Sequence, residues 1–399
     1  MSASTLRRDG PRAEALDIGR GICAVLVVLY HGLLTFQVHG MEEAHRLPVD
    51  FSQPWLLAQH LLLGLANGPG YVTFFFVLSG TVLAMSLERD PPVQAGPVLG
   101  YLIKRGFRLY PLLVFTAAMA ALLQLHYFTM QEFPQATHWF NAQYKIDPAD
   151  LPAEFVANAQ GRSATLNGPA WSIKVEILAS AVFPLLYLMT LTARRAAVTA
   201  LLLLAAMFLA PGRTEQWHYM NIFLFCFFAG ALLPRWGAAI AAALGGMQAW
   251  PRRLLLAALL LVFLFARRLL APEVFAPPLV VLLETLGAVT GVVLLMHGRD
   301  HALFHATPMR LLARLSFGIY LLHVIVLSVI GHAVLPWLPA QLGPAQALGL
   351  GVLITLATLA ATVPLAWLLH GVLERPMQQL GRVIAARLGR RRSPVRRPA

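Results

Sequence analysis

The chain has 399 residues, of which 58% are hydrophobic and only 12% are charged, and its mean hydropathy is +0.66. A soluble domain carries roughly a quarter charged residues, so this composition excludes an ordinary soluble protein and predicts an all-α, polytopic membrane protein. The net charge of +13 would suggest nucleic acid as the partner of a soluble protein, but basic cytoplasmic loops explain it better here, and we expect no nucleic-acid partner.

Apolar runs long enough to cross a bilayer follow one another along the chain. A spanning helix needs about 20 mainly apolar residues. Ten candidate runs lie near residues 17–37, 61–87, 107–128, 169–192, 196–211, 219–234, 254–270, 278–297, 315–336 and 345–373. The fifth and sixth runs are short, and the seventh ends in Arg267 and Arg268. The sequence therefore predicts about ten transmembrane helices.

The basic residues predict how these helices are oriented. If the N-terminus is cytoplasmic, alternation of the ten runs places 24 of the 31 Lys and Arg residues inside and 7 outside. Cytoplasmic segments of membrane proteins are enriched in Lys and Arg, so both termini are expected in the cytoplasm. We expect a membrane domain over residues 1–376 and a basic tail over 377–399 that contacts anionic lipid. The predicted location is the inner membrane of a bacterium.

Two of the predicted outer segments are long, at about 38–60 and 129–168. The second is rich in polar and aromatic residues, among them Trp139 and Tyr144. It is long enough to cap the bundle or to contact a substrate, and the alternative is a flexible connection.

The first apolar run contains two ionisable residues, Arg20 and His31. They are 11 residues apart, so they share one face of a helix and lie about 16 Å apart along its axis. Ionisable groups at membrane depth are costly, and histidine titrates near neutral pH, so His31 is a candidate general base beyond the midplane, toward the outer side. The alternative is a histidine that bonds a neighbouring helix or lies at the outer interface.

The third run begins with KRGFRLYP, in which Arg105 and Arg108 are three residues apart. Residues at this spacing are neighbours on one helical face. Paired guanidinium groups suit phosphate, which they bind through two parallel hydrogen bonds, and this predicts contact with a nucleotide arriving from the cytoplasm. The alternative is ordinary positive charge at the inner surface.

The fourth run opens with GPAWSIKVEILAS, which places Glu176 about 10 Å below the outer surface. His31 is expected at a similar depth on another helix. A buried carboxylate needs a partner and a catalytic histidine needs an orienting group, so Glu176 is a candidate to orient His31. Lys174 is a competing partner for this carboxylate.

Three histidines, His297, His301 and His305, have the i, i+4, i+8 spacing that could hold zinc on one helix. Gly298 and Pro308 flank them, however, and indicate a short inner loop instead. We therefore expect no metal.

Taken together, these patches resemble the acyltransferase type 3 family of bacterial membrane O-acyltransferases. Six patches agree in order over about residues 16–376, namely Leu16-Asp17 through Arg20-Gly21 to His31, Phe75-Phe76-Val77-Leu78-Ser79-Gly80, Arg105-Gly106-Phe107-Arg108 with Tyr110-Pro111, Trp171-Ser172 with Glu176, Ser316-Phe317-Gly318-Ile319-Tyr320-Leu321-Leu322-His323, and Glu374-Arg375-Pro376. The chain departs from the family pattern in two places. Thr81 stands where phenylalanine is usual, and Glu176 is followed by Ile-Leu-Ala-Ser, where many members have a second polar residue and an aromatic residue.

The resemblance implies a ten-helix fold, an acyl-coenzyme A donor (usually acetyl) that arrives from the cytoplasm, and a cell-surface carbohydrate or glycolipid acceptor. It implies that His31 is catalytic and that the donor contacts Arg20, Arg105 and Arg108. Membrane lipid is the other expected partner. We expect five further residues to line the path or support the helices: Ser79, Trp171, Ser172, Tyr320 and His323. The alternatives are a secondary transporter or flippase and a catalytically silent scaffold.

Overall fold

The computed structural model describes residues 9–38, 40, 43–92, 94–209, 215–298 and 306–390, and this part of the chain is almost entirely helical. The helices are α1 (Asp9–Leu33), α2 (Pro54–Ala66), α3 (Gly68–Arg89), α4 (Ala95–His126), α5 (His138–Asn141), α6 (Leu151–Ala159), α7 (Ala170–Met189), α8 (Ala193–Leu209), α9 (Glu215–Gly246), α10 (Ala249–Leu270), α11 (Pro278–His297), α12 (Thr307–Val334), α13 (Pro344–Leu369) and α14 (Arg375–Arg390). A single π-helical turn, His370–Glu374, joins α13 to α14. The all-α prediction is confirmed.

Eight helical segments of the described chain are long and apolar enough to cross a membrane. They are Glu14–Leu33, Pro54–Arg89, Ala95–His126, Ala170–Met189, Tyr219–Gly246, Pro278–His297, Thr307–Trp337 and Pro344–Leu388. The fifth and seventh predicted runs form helices α8 and α10 but are not among these eight. Helix α8 has only 17 residues, and α10 carries an arginine pair near each end. Ten spans and cytoplasmic termini stay predictions.

The connections between helices gather at two ends of the bundle. At one end, which we call the basic end, α14 packs along the first half of α4, where Gly381 faces Phe107. Arg310 of α12 also pairs there with Glu14 of α1, at 2.6 Å. Helix α14 crosses the predicted domain boundary after residue 376, and residues 391–399 of the predicted tail lie outside the described chain.

At the opposite end, which we call the loop end, the segment 127–169 lies on top of the bundle. Thr137 donates a hydrogen bond to the carbonyl of Leu34 at 2.6 Å, and its amide donates to the carbonyl of Thr35 at 3.0 Å. Gln135 donates to the carbonyl of Leu335, at the far end of α12. Because these bonds tie the segment to both α1 and α12, it is a cap rather than a flexible connection.

Helices α3 and α9 approach each other so closely at Gly80 and Gly230 that neither position has room for a side chain. A Cβ atom built on Gly80 would lie 2.0 Å from the carbonyl oxygen of Phe227, and one on Gly230 would lie 1.9 Å from that of Val77. Thr81 donates a hydrogen bond across the contact to the carbonyl of Gly230, at 3.1 Å. Small residues allow this kind of backbone contact between membrane helices. The contact fixes α3, which lines the cavities described below.

Arg267 and Arg268 are buried rather than exposed at the outer surface, with 2% and 3% of their surface accessible. Arg267 makes two hydrogen bonds to Glu284, at 3.0 and 3.2 Å, and a third to the carbonyl of Phe275. Arg268 donates to the carbonyl of His45 at 2.7 Å. A charge at this depth needs such partners, and Glu284, which the sequence analysis did not single out, supplies the carboxylate. Arg267 thus anchors the segment 271–277 at the loop end, and Arg268 anchors the segment around His45.

Candidate functional site

His31 lines a cavity of about 450 Å³ at the loop end, which we call the first cavity. Aromatic and cationic side chains surround it, among them Tyr30, Trp139, Trp171, Arg267 and Phe275. His45 also lines it, and burial, followed by the positive charge of Arg268, lowers the pKa of His45 to about 3. His45 is therefore neutral at physiological pH, and the positive charge around this cavity comes from its arginines.

The partner of His31 is another histidine. His323 is fully buried on α12, and its Nδ1 lies 2.6 Å from the carbonyl oxygen of Tyr320. Its Nε2 lies 3.0 Å from Nδ1 of His31, which also lies 3.0 Å from the carbonyl oxygen of Val27. The two helices α1 and α12 pack side by side and bring the rings together.

These contacts assign the proton positions of a neutral pair. A carbonyl oxygen only accepts, so Nδ1 of His323 carries its proton and Nε2 of the same ring accepts. The donor to that nitrogen is Nδ1–H of His31, shared with Val27. The proton of His31 is therefore on Nδ1, and its Nε2 keeps the lone pair that a general base needs.

From the sequence, His323 was predicted only as a supporting residue, and its pairing with His31 was not predicted. His31 lies 14 residues into the membrane from Asp17, and His323 lies 16 residues from the start of α12. Both distances from the basic end are about 21–24 Å at 1.5 Å per residue, so their similar depth was a usable signal.

Trp139 stacks on the other side of the His31 ring, with ring centroids 5.0 Å apart and planes inclined by 24°. It belongs to the cap segment, which explains how residues 127–169 take part in the site. An indole packed against one face and His323 at the edge leave the imidazole little freedom to rotate. The sequence placed Trp139 in the long outer segment but gave it no role.

Glu176 lies in a second cavity, of about 360 Å³, and not beside His31. Its hydrogen-bond partners in the described chain are Arg105 and Ser79, the latter at 3.3 Å. Arg105 is further held by Ser180 at 3.2 Å. The prediction that Glu176 orients His31 is therefore wrong. Ser172 contacts Tyr320, which lies three residues nearer the basic end than His323, and Glu176 lies a further four residues along α7 in the same direction. Glu176 is thus nearer the basic end than the His31–His323 pair, and it faces Arg105 on α4.

The pairing also changes the interpretation of the arginines. The charge of Arg105 is balanced by Glu176, and contact of Arg105 and Arg108 with the donor stays a prediction. Arg20 and Arg108 line both the second cavity and a third one, of about 470 Å³, at the basic end. Two arginines from the start of α12, Arg310 and Arg314, complete the third cavity. The sequence analysis missed both, although their i, i+4 spacing in TPMRLLAR places them on one helical face.

The first and second cavities meet at Val72 and Tyr320, which line both. The hydroxyl of Tyr320 lies 2.8 Å from Ser172 Oγ and 3.3 Å from the carbonyl oxygen of Pro169. Trp171 lines the first cavity and its neighbour Ser172 the second. The three predicted supporting residues Trp171, Ser172 and Tyr320 therefore lie together where the cavities meet, and Ser79 lies deeper in the second.

Within the described residues, no group of three or more His, Cys, Asp and Glu side chains is placed to hold a metal ion. His301 and His305, two of the three histidines with zinc-like spacing, lie outside that part of the chain.

A model of the acyltransferase type 3 family, described as an acyltransferase domain, matches residues 14–371. The chain belongs to the acyltransferase type 3 family. It is therefore a membrane acyltransferase, and not the transporter or silent scaffold that helix count alone allowed. The match includes both histidines and all the arginines around the three cavities. Comparison with curated proteins and with solved structures gave no match.

Proposed function

We propose that this acyltransferase transfers an acyl group, acetyl in the simplest case, from acyl-coenzyme A at the basic end to a hydroxyl group of a carbohydrate or glycolipid at the loop end. The observation that carries the proposal is the His31–His323 pair. It holds a basic nitrogen in a cavity that meets, through Val72 and Tyr320, a second cavity leading to four arginines.

The arginines support a phosphorylated donor. Arg20, Arg108, Arg310 and Arg314 line the third cavity together with Glu14, Asp17 and Glu374, and guanidinium groups are well suited to phosphate oxygens. Asp17 pairs with Arg20 and Glu14 pairs with Arg310, so we assign the phosphate contacts chiefly to Arg108 and Arg314. Coenzyme A carries its phosphates at the nucleotide end and its thioester at the end of a long, narrow arm. With the nucleotide in the third cavity, the arm extends through the second cavity past Ser79 and places the thioester toward His31.

The chemistry needs one base. Nε2 of His31 takes the proton of the acceptor hydroxyl, and the oxygen attacks the thioester carbonyl carbon. The carbon–sulfur bond then breaks, and the leaving thiolate takes the proton back from His31 to give free coenzyme A. A transient acyl group on the same nitrogen would give the same products, so the proposal covers both routes.

The first cavity supports an acceptor with both apolar faces and hydroxyl groups. Trp139, Trp171 and Phe275 supply flat apolar surface, while Gln143 and Glu273 supply hydrogen-bonding groups. A sugar ring has this mixed character. In the orientation proposed here the basic end is cytoplasmic, the loop end faces outward, and the protein lies in the inner membrane of a bacterium.

The test uses membranes opened with a mild detergent, so that donor and acceptor reach both ends of the protein, and these membranes carry the wild type, His31→Ala or His126→Ala. Labelled acetyl-coenzyme A is the donor, and a cell-envelope extract supplies the acceptor. His126 is exposed at the end of α4, so its removal controls for the loss of a histidine. We expect His31→Ala to lose transfer by about 100-fold or more, because a general base contributes 10²–10⁴-fold. Equal transfer by wild type and His31→Ala, or no transfer by any folded form, would overturn the proposal.

A further inference from the structure

The wall between the first and second cavities is made of few side chains. Only Val72 of α3 and Tyr320 of α12 line both cavities among the described residues. Val72 has 4% of its surface exposed and Tyr320 has 6%. Because these two side chains line both cavities, they stand between the second cavity and the first cavity, which His31 lines.

Each side of this wall is held in place. The ring of Tyr320 is fixed at its hydroxyl by Ser172 and Pro169, and Phe75 packs edge-on against it with ring centroids 5.6 Å apart. Val72 has a stiff β-branched side chain on α3, whose backbone is fixed by the glycine contacts with α9. Two fixed side chains on the path from one cavity to the other would select acyl groups by their cross-section.

We propose that Val72 and Tyr320 form a selectivity constriction that admits straight-chain acyl groups and rejects acyl groups branched next to the thioester. The acyl group enters first, ahead of the arm that carries it, so its width and not its carbon number decides passage. This inference rests on the proposed function, since it assigns the substrate class of the same site. It names Val72, which has no role in the proposed acid–base chemistry, as the residue that sets donor preference.

The experiment compares two donors with the same number of acyl carbons, n-butyryl-coenzyme A and isobutyryl-coenzyme A, in the assay with opened membranes described above. The measured quantity is the rate of isobutyryl transfer divided by the rate of n-butyryl transfer. Because the two acyl groups are isomers, the ratio reports shape rather than hydrophobicity. Acetyl-coenzyme A serves as the reference donor.

We expect Val72→Ala to raise this ratio by about 10-fold or more, since a methylene-sized change in a pocket is worth 10–200-fold in discrimination. Val72→Ile is expected to lower it, and Val72→Thr, which has the same shape, to leave it unchanged. Inhibition by free coenzyme A should be equal in all four forms, because the arginines that hold the nucleotide are untouched.

Val77→Ala is the matched control. Val77 lies on the same helix and is fully buried, but it packs against α9 and lines neither cavity. If Val77→Ala shifts the ratio as much as Val72→Ala, or if no substitution at Val72 shifts it while the wild type transfers acetyl, the constriction is wrong and the proposed function stands. If the wild type transfers no acyl group from any donor, the proposed function has failed, and the constriction with it.

Discussion

At the level of single residues, substitution of His323 tests whether His31 acts as a base only when a second histidine positions it. His323 lines neither the first nor the second cavity and acts through His31, so it is a positioning residue. We expect His323→Ala to lower kcat for acyl transfer by about 10- to 100-fold, the usual cost of losing a group that orients another. The KM for the donor should stay within about twofold, because no donor-side arginine is disturbed.

His323→Gln gives this prediction a second readout. A glutamine oxygen can accept the Nδ1–H of His31 in place of the imidazole nitrogen. We expect it to recover a large part of the kcat lost in His323→Ala. The measurement is steady-state kinetics on the purified protein in detergent. If His323 had only a structural role, His323→Gln would have a lower kcat than His323→Ala, or the substitutions would change KM and leave kcat unchanged.

The position of a residue along its own helix could be predicted from the sequence. Its contact partners on other helices could be predicted only in part. The depth of His31 and the shared face of Arg105 and Arg108 follow from positions along single helices. The partner of Glu176 depends on the depth and the rotation of α7 relative to α1, α3 and α4, which a run of apolar residues does not encode. Arg105 rather than His31 therefore receives that carboxylate.

For the helices as elements, the contact between α3 and α9 makes a sharp prediction about stability. We expect Gly230→Ala to reduce the amount of folded protein strongly, because the new methyl group would meet the backbone carbonyl of Val77 at 1.9 Å. Backbone cannot move aside as a flexible side chain can, and overpacking of this kind costs about 1–3 kcal/mol or more. Thermal unfolding in detergent measures the effect.

Gly245→Ala is the control on the same helix. Nothing lies within 4 Å of a Cβ atom at Gly245, so that substitution should be neutral or stabilise α9 by up to about 1 kcal/mol, as alanine does in an open helical position. A loss of stability as large as that of Gly230→Ala would show that the α3–α9 contact is not the cause.

The boundaries of elements were predictable from hydropathy only where a helix is uniformly apolar. The runs near 278–297 and 315–336 correspond closely to α11 and to the core of α12. The run near 254–270 ends in arginines that are buried inside the bundle, because Glu284 and three backbone carbonyls accept their hydrogen bonds. Hydropathy treats these arginines as exposed charges, and so it cannot describe an element that buries them.

Over the whole molecule, the buried arginines strengthen the argument for orientation. The sequence assigned 24 cations to the inner side and 7 to the outer side, and Arg267 and Arg268 are two of those 7. Both are buried against protein partners, which leaves five cations for the outer surface and its connections. The positive-inside rule concerns cations in the connecting segments, so the burial of these two arginines widens the asymmetry from which we predict a cytoplasmic basic end.

Cysteine labelling tests that orientation directly. The two native cysteines, Cys23 and Cys226, are free and buried, with at most 5% of their surface exposed, so they should give little background with a membrane-impermeant maleimide. Gln94→Cys introduces an exposed thiol between α3 and α4 at the basic end, and Ala149→Cys introduces one in the cap segment. Exposed substitutions of this kind usually change stability by no more than about 0.5 kcal/mol.

In spheroplasts we expect the reagent to label Ala149→Cys and to label Gln94→Cys only after the membrane is opened. The proposed direction of transfer depends on this result, because coenzyme A is charged and does not cross a bilayer, so the arginines of the third cavity must face the compartment that contains it. Labelling of Gln94→Cys in sealed spheroplasts would place those arginines outside and would contradict a cytoplasmic donor. Loss of acyl transfer on modifying either thiol is not expected, since neither position lines the first, second or third cavity.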